Sequence, residues 1–134
     1  MEKALLLCER PQDARTVRMA LEEQGLAVDH CFEAYTAERL LESQSYAVIF
    51  FDLETPGAME LMRRTPINGA ARIALTNRSV PVGTLRLGVK AVLFRPVKAE
   101  QVGQAVAGLR AKFAAGPQGH RAAEIAVEFA EGRG

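Results

Sequence analysis

The chain has 134 residues, 49% of them hydrophobic and 25% charged, which is enough apolar material for one folded domain and excludes a wholly disordered chain. Its 17 Lys and Arg residues nearly balance 16 Asp and Glu residues, which argues against a globally basic nucleic-acid-binding protein. There is no apolar run of the roughly 20 residues that span a membrane, and the apolar start is too short for a secretory signal. Two cysteines, Cys8 and Cys31, cannot form a disulfide framework, so we expect a cytoplasmic protein with reduced thiols and no membrane contact.

The first half of the chain alternates short apolar runs with helical patterns. Strands are predicted over 3–7, 26–32 and 46–53, and helices from Pro11 to about Gly25, from a Thr36 cap to about Ser43, and over 58–64. The run 46–53 is apolar on both faces, which is typical of a strand covered by helices on both sides. Asp29 and His30 interrupt the run 26–32, which therefore predicts an edge strand.

The second half continues the alternation. Strands are predicted over 71–76 and 91–94, followed by a helix over 98–113 whose apolar stripe is Val102, Ala105, Val106, Leu109 and Phe113. Pro81 and Gly83 predict only a short or irregular helix between 79 and 88. Residues 116–119 resemble a linker, so we place one domain at 1–115. Residues 116–134 are then a linker and C-terminal extension, either an appended helix or strand or the start of an output domain.

Five strands, each followed by a helix, predict a (βα)5 fold with a doubly wound, five-stranded parallel sheet. Ligands of such sheets bind at the carboxyl ends of the strands, where this sequence has Glu9, Asp52, Thr76 and Arg95. Two carboxylates about 4 Å apart repel by about 4 kcal/mol at an effective dielectric near 20, and Mg²⁺ or an Arg would relieve that repulsion. A carboxylate, a metal, a hydroxyl and a cation are together the parts needed for phosphoryl transfer to Asp52.

Three segments together resemble the receiver domain of two-component response regulators. They are 46–57, which contains the apolar strand and Asp52, then 73–76, which ends in Thr76, and 88–96, which ends in Arg95 and Pro96. The resemblance covers residues 3–113. It implies a flavodoxin-like sheet with strand order 2-1-3-4-5 and a signalling module without enzymatic activity.

The resemblance also implies roles for individual residues. Asp52 would accept a phosphoryl group from a histidine kinase, a phosphotransfer protein or a small phosphodonor. Glu9, Asp52 and the backbone carbonyl of Glu54 would hold Mg²⁺, while Thr76 and Arg95 would bind the phosphoryl oxygens. The family signals through the face of its fourth helix, fifth strand and fifth helix. This implies a protein partner or a homodimer at that face, an output domain after residue 116, and no direct contact of this domain with nucleic acid.

The sequence also departs from the family pattern at three positions. Cys8 replaces the first of two adjacent acids, Arg95 replaces the usual Lys, and Val92 replaces the switch aromatic. Arg is planar and forked, so Arg95 could bind phosphate well or lock Asp52 in a bidentate salt bridge. The second possibility favours a phosphorylation-independent pseudo-receiver that acts as a protein-interaction scaffold.

Other interpretations of the sequence are supported by fewer residues. A nucleotide-binding protein of this fold would need a glycine-rich loop at 8–11, which is absent, and only the offset of Glu54 from Asp52 favours an aspartyl phosphatase. Cys8 is expected to be a partly buried filler and Cys31 a packing residue. The basic residues Arg63, Arg64 and Arg72 are interpreted as a solvated face.

Overall fold

The computed structural model describes residues 2–66, 69–77 and 83–115. Five strands and four α-helices alternate along these residues. The strands are β1 (Lys3–Leu7), β2 (Ala27–Cys31), β3 (Val48–Asp52), β4 (Ala71–Thr76) and β5 (Val89–Phe94); the helices are α1 (Pro11–Glu23), α2 (Ala34–Ser43), α3 (Ala58–Arg64) and α4 (Ala99–Ala115). The expected linker and extension at 116–134 lie outside the described residues.

All strand pairs are parallel, and the sheet order is β2-β1-β3-β4-β5. The doubly wound fold, the strand order and the edge position of β2 are thereby confirmed. The register places Leu7 beside Phe51 and Asp52 beside Leu75. The carboxyl ends of β1, β3 and β4 therefore meet at one edge of the sheet.

Each face of the sheet carries its own hydrophobic core. On one face Leu6, Phe50 and Ile73 pack with α1 and α4, and on the other Leu5 and Phe51 pack with α2 and α3. The alternation of side chains along β1 and β3 sends neighbouring residues to opposite cores, which explains why these strands are apolar throughout. The predicted stripe of α4 is confirmed at Val102, Val106 and Leu109, which are buried, and at the half-buried Ala105. The side chain of Phe113 lies outside the described part.

Two local predictions were wrong. Thr36 does not cap α2, because that helix already begins at Ala34, with Glu33 as its N-cap residue. Arg72 does not lie on a solvated face, because β4 buries it to 2% exposure beside Phe51. Its guanidinium donates four hydrogen bonds to backbone carbonyls, those of Met62, Thr65, Pro66 and Leu87.

The connection between β4 and β5 contains the 3₁₀ helix Thr84–Leu87 within its described part. The expected short helix is therefore confirmed there, while residues 78–82 lie outside the described residues. The carbonyl of Leu87 accepts a hydrogen bond from Arg72 at 2.9 Å, so the buried guanidinium ties this connection to the end of α3. The burial of Arg72 lowers its pKa, since desolvation disfavours the charged form.

Candidate functional site

Asp52 is the last residue of β3, and its side chain is completely buried at the carboxyl edge of the sheet. Its Oδ1 accepts the backbone N–H of Glu54 at 3.0 Å. Its Oδ2 accepts the hydroxyl of Thr55 at 3.1 Å and the thiol of Cys8 at 3.6 Å, and lies 2.7 Å from Nη2 of Arg95. Four groups of the same chain therefore contact the carboxylate, three of them at Oδ2 and one at Oδ1.

Arg95 follows β5 directly and reaches back across the site with a side chain that is only 8% exposed. Its Nε donates to Oδ2 of Asp13 at 2.6 Å, and its Nη2 forms the ion pair with Asp52. Nη1 lies 3.5 Å from Oδ1 of Asn77. Burial lowers the pKa of Arg95, but the bonds to Asp13 and Asp52 outweigh burial and leave the pKa raised, so the cation stays charged.

The contact between Arg95 and Asp52 was predicted, but its form differs from the bidentate pair. The guanidinium is shared between Asp52 on β3 and Asp13 in the first turn of α1. Sequence reasoning missed Asp13 as a site residue. A usable signal was its place in the first turn of the helix that follows β1, because that turn lies at the same edge of the sheet as the strand ends.

Cys8 is fully buried rather than partly buried. Burial, helped by the charge of Asp52, raises the pKa of its thiol to about 11, so the sulfur keeps its proton at neutral pH. A protonated thiol can donate to Asp52, whereas a second carboxylate at this position would repel it. Cys8 is therefore a neutral donor in the site as well as a packing residue. Cys31 is buried in the opposite core, as expected.

Thr55 is a second site residue that sequence reasoning missed. Its hydroxyl donates to Oδ2 of Asp52 and accepts the backbone N–H of Glu9 at 3.1 Å. It thereby joins the loop after β1 to the loop after β3. The side chain of Glu9 itself is exposed, so the structure brings the backbone of Glu9, and not its carboxylate, to Asp52.

Thr76, the last residue of β4, is buried at the same edge. Its hydroxyl donates to Oε2 of Glu54 at 3.4 Å. The backbone N–H of Arg95 donates to the carbonyl of Thr76 at 2.8 Å, which places Thr76 next to the residue that carries the cation. Asp52, Thr76 and Arg95 thus converge as predicted, while their roles toward a phosphoryl group stay predictions.

The site's residues do not fit a resident Mg²⁺ ion in this arrangement. Within the described ranges no three His, Cys, Asp or Glu side chains are grouped to hold a metal ion. Cys8 carries a proton, the side chain of Glu9 is exposed, and the guanidinium of Arg95 already neutralises Oδ2 of Asp52. The Mg²⁺ site implied by the sequence therefore stays a prediction, and an arginine supplies the positive charge.

The buried thiols predict a pH dependence of stability. Burial raises the pKa of both Cys8 and Cys31 from 9.0 to about 11, so the folded chain holds these protons more tightly than the unfolded chain. Their contribution is fully present below pH 9 and is lost as the pH rises toward 11, by about 3 kcal/mol per thiol. Urea unfolding across this range should show a shallower decline for Cys8→Ala than for the wild type. Identical slopes would contradict the prediction, and since Tyr46 also has a raised pKa, only the difference between the two proteins is diagnostic.

The fold and site define a doubly wound α/β protein with acids and a cation gathered at the carboxyl edge of its sheet. No protein-family model matches the chain. The chain is similar to the transcriptional regulatory protein TctD of two Salmonella typhimurium strains, at 31% identity in an alignment of length 109 that covers 73% of this chain. The match covers 47% of TctD, so the chain spans about half the length of these curated relatives.

Solved structures agree on the architecture. A two-component response regulator from Clostridium difficile superposes with a TM-score of 0.76 at 17% identity, covering 84% of this chain and 98% of the other. The receiver domain of the Francisella response regulator 1452 gives 0.68 at 21% identity, covering 80% and 94%. A CheY-like receiver domain from Methylobacillus flagellatus gives 0.71 at 18%, covering 81% and 98%. The chain thus has the fold of response regulator receiver (CheY-like) domains, as its sequence indicated.

Among the described helices, none combines the length and the apolar composition that crossing a bilayer requires.

Proposed function

We propose that this chain is a receiver module of two-component signalling that works as a phosphorylation-independent protein-interaction scaffold. One observation carries the proposal: the carboxylate of Asp52 is completely buried, and Arg95 lies 2.7 Å from its Oδ2. Thr55, Cys8 and the backbone of Glu54 supply the remaining donors. An oxygen that is already paired in this way is a poor nucleophile toward an incoming phosphoryl group.

The site chemistry supports this function over phosphoryl transfer. Phosphoryl transfer depends on positioning and on neutralising the charge of the transferred group. Here the cation that would neutralise that charge is engaged by two carboxylates, Asp13 and Asp52. Val92, at the position of the family's switch aromatic, is fully buried in the core beside Ala74. The usual aromatic side-chain movement is therefore unavailable to this chain.

Phosphoryl acceptance at Asp52 is the second candidate function. The specific observation in its favour is the convergence of Asp52, Thr76 and Arg95 at one edge of the sheet. It requires the guanidinium of Arg95 to leave Oδ2, and it carries with it the predicted Mg²⁺ and a histidine kinase or phosphotransfer partner. Both functions make the chain a cytoplasmic signalling module rather than an enzyme, joined to an output domain after residue 116 or dimeric through the face of the 3₁₀ helix, β5 and α4.

Incubation with Mg²⁺ and acetyl phosphate separates the two functions. We expect the intact mass of the wild-type chain to stay unchanged, and beryllofluoride with Mg²⁺ to leave its amide NMR spectrum unchanged, because Asp52 is enclosed. Asp52→Asn is the control for phosphorylation elsewhere, and a receiver domain of conventional sequence treated in parallel shows that the donor is active. A gain of one phosphoryl mass in the wild type that Asp52→Asn lacks would replace the proposed function by the second one.

A further inference from the structure

We propose that Arg95 is the built-in cation of this site, occupying the place of a divalent ion between Asp13 and Asp52, and that Asp13 is the positioning residue that holds it there. The inference rests on the proposed function, because both concern the same site. It adds the prediction that the carboxylates of Asp13 and Asp52 form a cation site, and that the guanidinium of Arg95 occupies it.

The first support is the geometry of the guanidinium. Nε contacts Oδ2 of Asp13 at 2.6 Å and Nη2 contacts Oδ2 of Asp52 at 2.7 Å. Nε and Nη2 are bonded to the same carbon, so the two carboxylate oxygens are held on one small cation. Without a cation between them these carboxylates would repel each other at close range, and Asp52 has no exposure to water that could screen the repulsion.

The second support is the alignment of Nη2. This nitrogen is buried, yet among the described residues no acceptor meets its N–H groups with hydrogen-bond geometry. Its contact with Asp52 is therefore held by charge more than by direction. Directional recognition by arginine uses the planar fork of its guanidinium, whose N–H groups point at their acceptors. A spherical ion does not need acceptors in particular directions. The arrangement is that of a positive charge placed where an ion would fit.

The third support is the position of Asp13 on the helix that follows β1. It lies in the first turn of α1, where the helix macrodipole favours a carboxylate. The residue that follows β1 on the same side, Cys8, is a thiol where a carboxylate would supply a second negative charge. Asp13 therefore provides that charge from the following helix, and its hydrogen bond fixes Nε of Arg95 so that Nη2 lies over Asp52.

The test is a Mn²⁺ titration, read from the electron paramagnetic resonance signal of the free ion. We expect no binding by the wild type at millimolar Mn²⁺, and at least about tenfold tighter binding by Arg95→Met, because two carboxylates then face each other without a cation. The double variant Arg95→Met with Asp13→Asn should lose this gain. Arg110→Met is the matched control, since the side chain of Arg110 is 40% exposed and pairs with Glu2 at the surface.

Two outcomes overturn the inference. Wild-type binding as tight as that of Arg95→Met would show that Arg95 does not occupy a cation site, and a double variant that still binds would show that Asp13 is not part of it. If Arg95→Met does not fold, Arg95→Lys serves, because a single nitrogen cannot reproduce the contacts that Nε makes with Asp13 and Nη2 with Asp52. Mn²⁺ should then raise the thermal midpoint of Arg95→Lys and not that of the wild type. Phosphorylation of the wild type would overturn the proposed function alone, whereas these results concern only the cation.

Discussion

Arg72→Met is expected to lower the free energy of unfolding by about 3 kcal/mol or more, since several hydrogen-bonded backbone carbonyls lose their donor and each costs about 1–3 kcal/mol if left unpaired. Met62 and Leu87 provide two of these carbonyls, each 2.9 Å from Nη1, and Thr65 and Pro66 provide the others. Methionine fills a similar volume, so the loss reports hydrogen bonding more than a cavity. The carbonyls belong to the main chain and remain in place when the guanidinium is removed.

Urea unfolding followed by far-ultraviolet circular dichroism measures this loss. Arg64→Met is the matched control, because the side chain of Arg64 is 58% exposed and pairs with Glu38 on the surface. That change should cost less than about 1 kcal/mol, the usual value of an exposed ion pair. Equal losses in the two variants would show that the four bonds of Arg72 do not stabilise the fold.

Asp52→Ala is expected to destabilise the chain by about 3–5 kcal/mol, because removing one partner of a buried ion pair leaves the other charge uncompensated. Arg95 would keep Asp13 but lose its second carboxylate. The hydroxyl of Thr55 would lose its acceptor as well, while the thiol of Cys8 would keep the carbonyl of Arg10 at 3.6 Å. Residues whose interactions are lost together in this way act as one network.

The same unfolding measurement tests the network. Glu9→Ala is the control, because its side chain is exposed and only its backbone takes part in the site. The combined variant Asp52→Ala with Arg95→Met should lose less stability than the sum of the losses of the two single variants. The reason is that the charge which Asp52→Ala leaves without its partner is then also removed. An additive result, or a loss no larger than that of Glu9→Ala, would contradict a network centred on Asp52.

The strands and helices were predictable because hydrophobic periodicity reports which face of an element is buried. The predicted bounds of β4 and α3 agree with the structure, and β5 differs only in beginning at Val89. The convergence of Asp52, Thr76 and Arg95 followed from a general property of parallel sheets, whose strand ends meet at one edge. Nothing beyond the order of elements was needed for that part of the site.

The remaining parts depend on where side chains point. Asp13 and Thr55 lie on a helix and in a loop, and their contacts with Arg95 and Asp52 are set by packing across long sequence separations. The burial of Arg72 could not be inferred either, since its partners are main-chain carbonyls that carry no sequence signal. Metal ligation and phosphoryl transfer stay predictions because they concern groups that join the chain from solution.

An arginine attached to the chain differs from a dissolved ion in one practical respect. Its effective concentration at Asp52 is fixed by the fold, because Arg95 follows β5 and its side chain reaches past the end of β4 to Asp52 at the end of β3. Chelators, starvation for divalent ions and changes in bulk salt leave that charge in place, because a buried pair is only weakly screened. With Arg95 as the proposed cation of the site, we expect the conformation of this edge of the sheet to be independent of ion supply.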